Sequence, residues 1–348
     1  MRFPVMVRAA IIVALSCLFA PVLAWAQHPF EHFPALYDTL VGSHYEAAWE
    51  IHRTLESEFP EHPATLLSQT VILYTAMIDF EDTTGEAEFF QSCDELTKVC
   101  EAHRKDAQRK ERAELDFISG STLAMRAFYA GRRGEMWSAA KWLARSRSLF
   151  SRAIQNDPTL YDAYLGRGAY RWGVAKQAGI LAGAPFLPSR EDALADLKSA
   201  LQSSKFSRHA AASTMIWFLV EDKKFDEAEV LIKSELERFP GARSLLWPLI
   251  SLQYQAGRYR ECIASSDELI RQYQMSSRNN GYDVVGLYKR MADAAAQLGD
   301  DEAVVQYCRA GLATPMSDYA RHRRVRDLET LTKWSEKAQK RLIQQATR

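Results

Sequence analysis

Apolar residues return every three or four positions along most of the chain, with charged residues filling the intervals. That is the pattern of amphipathic helices rather than of alternating strands. Residues 223–274 show it most plainly: KKFDEAEVLIKSELERFPGARSLLWPLISLQYQAGRYRECIASSDELIRQYQ. One helix runs up to a Phe-Pro-Gly break, a second follows, and the pattern restarts. Phe225, Ala228 and Pro240 stand 34 residues before Tyr259, Cys262 and Gln274. Each unit is therefore predicted to be helix A, a tight turn, helix B and a break.

Helix B carries the clearer signature. A small residue marks where two helices cross closely, and Pro twelve positions later stops the helix. The pairs are Ala48 and Pro60, Ser146 and Pro158, Ala228 and Pro240, and Ala303 and Pro315. Ala193 with Lys205 and Cys262 with Gln274 keep the spacing without the Pro. An aromatic stands three before the small residue at Tyr45, Phe225 and Tyr259. Gly42, Gly257 and Gly299 are expected to take the positive φ of the turn between helices.

In these residues the chain, from about Leu36 to Ala346, resembles the tetratricopeptide-repeat family, whose period is 34 residues. The resemblance implies an all-α, right-handed superhelix (solenoid) of about six helix-turn-helix units with a concave peptide-binding face. It implies no chemistry. Two missing prolines, weak A helices and long insertions at 81–112 and 179–189 depart from the family pattern. The expected organisation is one helical-repeat domain over 27–348. Weaker repeats and an inserted helix occupy 27–134, more regular repeats 135–316, and capping helices 317–348.

Residues 1–26 stand apart. Arg2 and Arg8 precede an apolar run from Ala9 to Leu23, and Ala24-Trp25-Ala26 offers a small-x-small cleavage site. This reads as a secretory signal peptide. The run falls short of the ~20 residues that a spanning helix needs, and Pro21 interrupts it. The expected location is periplasmic or secreted, with a cleavable leader ending at Ala26.

Net charge is zero overall, but unevenly spread. Residues 27–97 hold 14 acids against Arg53 alone, whereas residues 98–176 hold 16 Lys and Arg against eight acids. The acidic third is expected either to stay solvated or to meet a basic surface, its own middle third or a partner's.

The search for chemistry returns little. Five of the eight histidines, His28, His32, His44, His52 and His62, cluster early. Pro29 argues against a helical His28/His32 pair, and His44 and His52 lie about 12 Å apart along one helix, so no metal site is expected. Cys93 and Cys100 on one helix are about 10.5 Å apart by helix rise, beyond the ~7 Å that a disulfide spans. No catalytic signature or nucleotide loop is present, and no cofactor is expected. The terminal arginines Arg321, Arg323, Arg324 and Arg326 read as a solenoid cap rather than a nucleic-acid surface.

Residues 161–172, YDAYLGRGAYRW, are the most unusual A helix. Gly166 and Gly168 thin it for a neighbour's approach, and Arg167 and Arg171 share a face. After it comes the apolar link 179–189, GILAGAPFLPS. Tyr164, Arg167, Arg171, Trp172, Phe186 and Leu187 form the candidate binding residues. The link either covers an adjacent repeat or presents Phe186 and Leu187 to a partner. The function expected is a non-catalytic exported scaffold binding a protein or peptide, in cell-envelope assembly or secretion, with self-association as a further option. The alternative is an enzyme, or an accessory subunit of one, with a site formed across repeats. Cleavage after Ala26 predicts an exported chain whose first residue is Gln27. Intact mass spectrometry of the periplasmic fraction checks it, and a retained Met1 or a lipid on Cys17 overturns it.

Overall fold

The structure is a computed structural model that describes residues 28–177 and 188–347. The leader lies outside these residues, as do Phe186 and Leu187. A 3₁₀ turn (Pro29–His32) leads into fifteen α-helices among the described residues. They are α1 (Phe33–Val41), α2 (Tyr45–Glu58), α3 (Pro63–Phe80), α4 (Glu86–His103) and α5 (Arg109–Arg132). Next come α6 (Met136–Asn156), α7 (Asp162–Gln177), α8 (Arg190–Ser203), α9 (Arg208–Glu221) and α10 (Phe225–Arg238). The last are α11 (Arg243–Gln255), α12 (Tyr259–Gln274), α13 (Tyr282–Gln297), α14 (Asp301–Ala313) and α15 (Asp318–Ala346). No strand occurs among the described residues.

Consecutive helices pack on one another from α1 to α15, which makes a solenoid of helical hairpins. The even-numbered helices from α2 to α14 are the B helices. Ala48, Ala193, Ala228 and Cys262 are fully buried, and Ser146 is nearly so. Small side chains there set how closely neighbouring helices approach. Farther along the same face lie a buried residue four positions on and another at seven: His52 and Leu55 in α2, Ile232 and Glu235 in α10, Ser266 and Leu269 in α12.

Segment 81–112, which the repeat pattern treats as an insertion, contains a repeat helix. Phe89, Cys93 and Leu96 of α4 are buried with the same spacing, and α4 packs between α3 and α5. The described hairpins therefore number seven rather than about six. A phenylalanine, Phe89, at the usually small position and no following proline hid this unit.

The register of α14 also differs from expectation by one residue. Ala303 is only half-buried, while Val304, Cys308 and Gly311 face inward. Counting back from Pro315 misplaces the site because α14 has 13 residues, one fewer than the 14 of α2 and α10. Counting forward from the turn works: Val304 follows Gly299 by five, as Cys262 follows Gly257.

Those turns share one construction. The residue after the left-handed position donates its N–H to a carbonyl five residues back: Arg258 to Gln253, Asp300 to Ala295, Lys224 to Leu219, His44 to Thr39. This closure satisfies carbonyls left open by the ending helix. Gly257 and Gly299 take φ of 74° and 76°, whereas Gly42 stays at −72° and Ser43 carries φ 61°.

The N-terminal helices lie against the later repeats. Phe30, Phe33 and Tyr37 pack on Phe206, just before α9. Beyond them, α3 brings Phe80 into one buried cluster with Leu246, Ile250, Tyr273 and Leu287. No helix among the described residues is long and apolar enough to cross a membrane.

Ala228→Leu overpacks the α10 crossing and is expected to cost about 1–3 kcal/mol. Ala303→Leu, half-buried, is expected to stay within about 0.5 kcal/mol. Denaturant midpoints of the two variants test this register, and equal losses would refute it.

Candidate protein-interaction surface

In α7 the glycines serve close packing. A Cβ at Gly166 would sit 2.1 Å from Phe150, and one at Gly168 would sit 3.1 Å from the Ala193 carbonyl. The helix is thin where α6 and α8 press against it. Arg167 and Arg171 then reach one carboxylate, Asp196 of α8, at 2.7 and 2.9 Å. The Arg167 guanidinium lies 4.8 Å from the Tyr164 ring, and the Tyr164 hydroxyl donates to the Pro158 carbonyl. Trp172 is 3% exposed, stacks on Phe218 at 4.1 Å and donates its indole N–H to Glu221. The structure thus brings these four together on intrachain partners. Phe186 and Leu187 lie outside the described residues.

A second surface gathers more charge. Arg208 opens α9, Arg243 opens α11, and Arg278 stands just before α13, at intervals of 35 residues. Helix N-termini carry partial positive charge, so a cation there needs an anionic partner. Arg208 finds Glu235 at 2.9 Å. Arg243 and Arg278 find theirs in the last turn of α3 and the residues immediately after it, far away in sequence.

At residues 79–82 this segment reads Asp-Phe-Glu-Asp. The Asp79 carboxylate accepts from Arg243 at 2.5 and 3.0 Å and from the Tyr45 hydroxyl at 2.7 Å. Asp82 accepts from Arg278 at 2.8 and 2.9 Å. Glu81 pairs with Arg323 of α15 at 2.7 Å and with Arg132 of α5. Phe80 lies between two guanidiniums, with Arg243 5.0 Å and Arg278 4.9 Å from its ring. The Asn280 side-chain amide donates to the backbone carbonyls of Phe80 (3.0 Å) and Glu81 (3.2 Å). The Tyr273 hydroxyl donates to the Asp79 carbonyl at 3.1 Å.

The acidic third therefore meets a basic surface within its own chain. Arg126, Arg132 and Arg133 of the middle third pair with Asp94, Glu81 and Glu86. Arg243, Arg278 and Arg323 come from the last third, which the charge distribution did not single out. Glu81 and Asp82 read from sequence as turn residues, and Arg323 as part of the cap. The sequence signal for this edge was the 35-residue arginine spacing at helix starts.

Asp283, in the first turn of α13, is 8% exposed, and burial raises its carboxyl to about 7. Arg324, Arg323 and Arg132 oppose that shift, and Asp79 adds to it. Burial also raises the Tyr45 and Tyr273 phenols, which stay protonated donors. His28 pairs with Glu114, His52 bonds to Ser68, and His62 caps α3. Among the described residues no three His, Cys, Asp or Glu could share a metal ion. Cys93, Cys100, Cys262 and Cys308 are free and buried. Burial raises the Cys93 thiol to about 12 and the other three to about 11, away from nucleophilic chemistry.

No family model matches the chain, and no curated protein matches it. Solved structures do. The Cut9–Hcn1 hetero-tetramer of APC/C is similar at 12% identity and a TM-score of 0.50, over 77% of this chain and 42% of that one. This chain therefore spans about two fifths of that chain's length, and at this identity the likeness is one of fold. The P58(IPK) TPR domain aligns over 92% of this chain and 99% of its own, at 12% identity and a TM-score of 0.28.

Asp283 supplies a pH test. Its pKa is ~3.9 unfolded and about 7 folded, so the folded state holds the proton longer. That stabilisation is complete below pH ~4 and is lost as pH rises through about 7. Asp283→Asn is expected to gain on the wild type by on the order of 1–3 kcal/mol between pH 4.5 and 7.5. Parallel denaturant profiles of the two proteins would refute it.

Proposed function

We propose that this chain, which has the tetratricopeptide-repeat fold, is an exported, non-catalytic scaffold that binds a protein or peptide partner. Cell-envelope assembly or secretion is the setting that an export leader favours. One observation carries the reading. The edge built from Tyr273, Arg278, Asn280 and Arg243 already grips a peptide segment through its backbone carbonyls and acidic side chains. Carbonyls are common to every peptide, so such donors bind chain direction and turn shape, while arginines add selectivity for acids.

This edge is favoured over α7 as the binding surface. Arg167 and Arg171 spend their charge on Asp196, which is fixed in the neighbouring helix. Arg243 and Arg278 spend theirs on a turn that joins the edge from outside the later repeats.

The mature chain, immobilised and exposed to envelope extract, is expected to retain one partner in stoichiometric amount. Raising salt from 0.05 to 0.5 M should weaken capture, because the long-range attraction of an acidic partner to the basic edge is screened beyond ~10 Å at about 0.1 M. Arg243→Ala with Arg278→Ala should lower capture by about tenfold or more. No stoichiometric partner, or capture indifferent to both substitutions and salt, would overturn the reading.

A further inference from the structure

We infer that the edge is a receptor for an acidic–phenylalanine–acidic turn, that the chain's own residues 79–82 occupy it as a resident ligand, and that a partner protein presenting the same chemistry takes their place. The inference rests on the scaffold reading and names the partner's recognition element.

The receptor is organised without help from its occupant. The Asn280 side-chain oxygen accepts from the Tyr282 N–H at 2.9 Å, which fixes the amide with its donor outward. The Asn280 carbonyl accepts from the Ser317 N–H at 3.1 Å. Gly281, at φ 82°, lets the loop lie on the next connection, where a Cβ would meet the Pro315 carbonyl at 2.2 Å. The Trp247 indole donates to the Tyr273 hydroxyl at 3.0 Å, and so orients its proton toward Asp79. Every one of these supports lies between α11 and α15.

The occupant, by contrast, is imperfect. Glu81 is a non-glycine residue at φ 49° and is 5% exposed, a backbone region that side chains disfavour. Asp79 brings a carboxylate toward buried Asp283 and raises the cost of charge there. Residues 83–85, Thr-Thr-Gly, then leave the site as a polar connection to α4. The body of α3 is held elsewhere, through buried Leu67, Ile72 and Met77. Opening the site therefore requires release of only the last turn of α3 and the connection to α4, and such local opening costs less than global unfolding. A partner turn that avoids the left-handed glutamate gains against the resident one, and that difference in affinity is what shifts the population.

The test uses the full mature chain and a fluorescent heptapeptide with the sequence of residues 77–83, MIDFEDT. Fluorescence anisotropy should show weak binding to the wild type, at least tenfold tighter binding to Phe80→Ala, and loss of that gain when Asn280→Ala is added. Circular dichroism monitors folding of each variant. Folded Phe80→Ala that binds no better than wild type overturns the inference, because the turn is then a permanent part of the core. If Phe80→Ala does not fold, Asp82→Asn decides, since it removes the charge that pairs with Arg278 at the turn's outer end and keeps an oxygen for the Thr84 N–H. A severalfold gain in peptide affinity supports the receptor, and an unchanged affinity overturns it. A chain that captures its partner through Arg243 and Arg278 but never binds the heptapeptide overturns this inference and leaves the scaffold reading in place. Peptide binding by a chain that captures no partner does the reverse.

Discussion

A helical hairpin cannot bury its apolar face alone, and each unit here depends on the next for its interior. The interaction on which the stack depends is the close crossing at one buried position of each B helix, small in five of the seven among the described residues. Ala48, Ala193, Ala228 and Cys262 are all fully buried there, in helices otherwise rich in charge. Larger residues at the crossings would push the hairpins apart and expose the Leu, Ile and Phe stripes on either side. The shared turn, closed by an N–H reaching five residues back, then sets where each B helix begins. Crossing and turn together fix the repeat, and the links between units are free to vary.

A second constraint is electrostatic and runs across the repeats. Stacking places the starts of α9, α11 and α13 along one edge, each with an arginine at or beside it. Unpaired, these cations would face one another and the helix dipoles. The turn at residues 79–82 brings three carboxylates and an aromatic ring to the last two of them and to Arg323. Arg243 and Asp79 are only 11% and 13% exposed in their side chains. At that burial, removing one partner strands a charge, so the network behaves as a unit rather than as separate surface pairs. Buried Asp283 beneath it couples the same network to pH.

For binding, the consequence is that charge alone is a poor guide to a surface. Arg167, Arg171, Tyr164 and Trp172 look from sequence like an open basic–aromatic face, yet Asp196, Phe218 and Glu221 absorb them. Asn280, which carries no charge, reads the backbone of a segment two hundred residues away.

The sequence by itself determined the helices, their repeat and most of the turns, because these rest on short-range periodicity and on residues such as Gly257 whose geometry is local. It placed the small crossing residues Ala48, Ser146, Ala193, Ala228 and Cys262 correctly. It took α4 for an insert rather than a repeat helix, because Phe89 stands at the usually small position, and slipped by one in α14, which is one residue shorter than α2 and α10. The mutual position of distant segments was decided only by the tertiary structure. Nothing local in Asp-Phe-Glu-Asp says which guanidinium will hold it, since its partners stand 164, 196 and 242 residues away. The 35-residue spacing of Arg208, Arg243 and Arg278 stands in the sequence, but only the structure shows what it holds. Which acids meet which arginines depends on the accumulated rotation of the stacked hairpins, a property of the whole solenoid and of no single repeat.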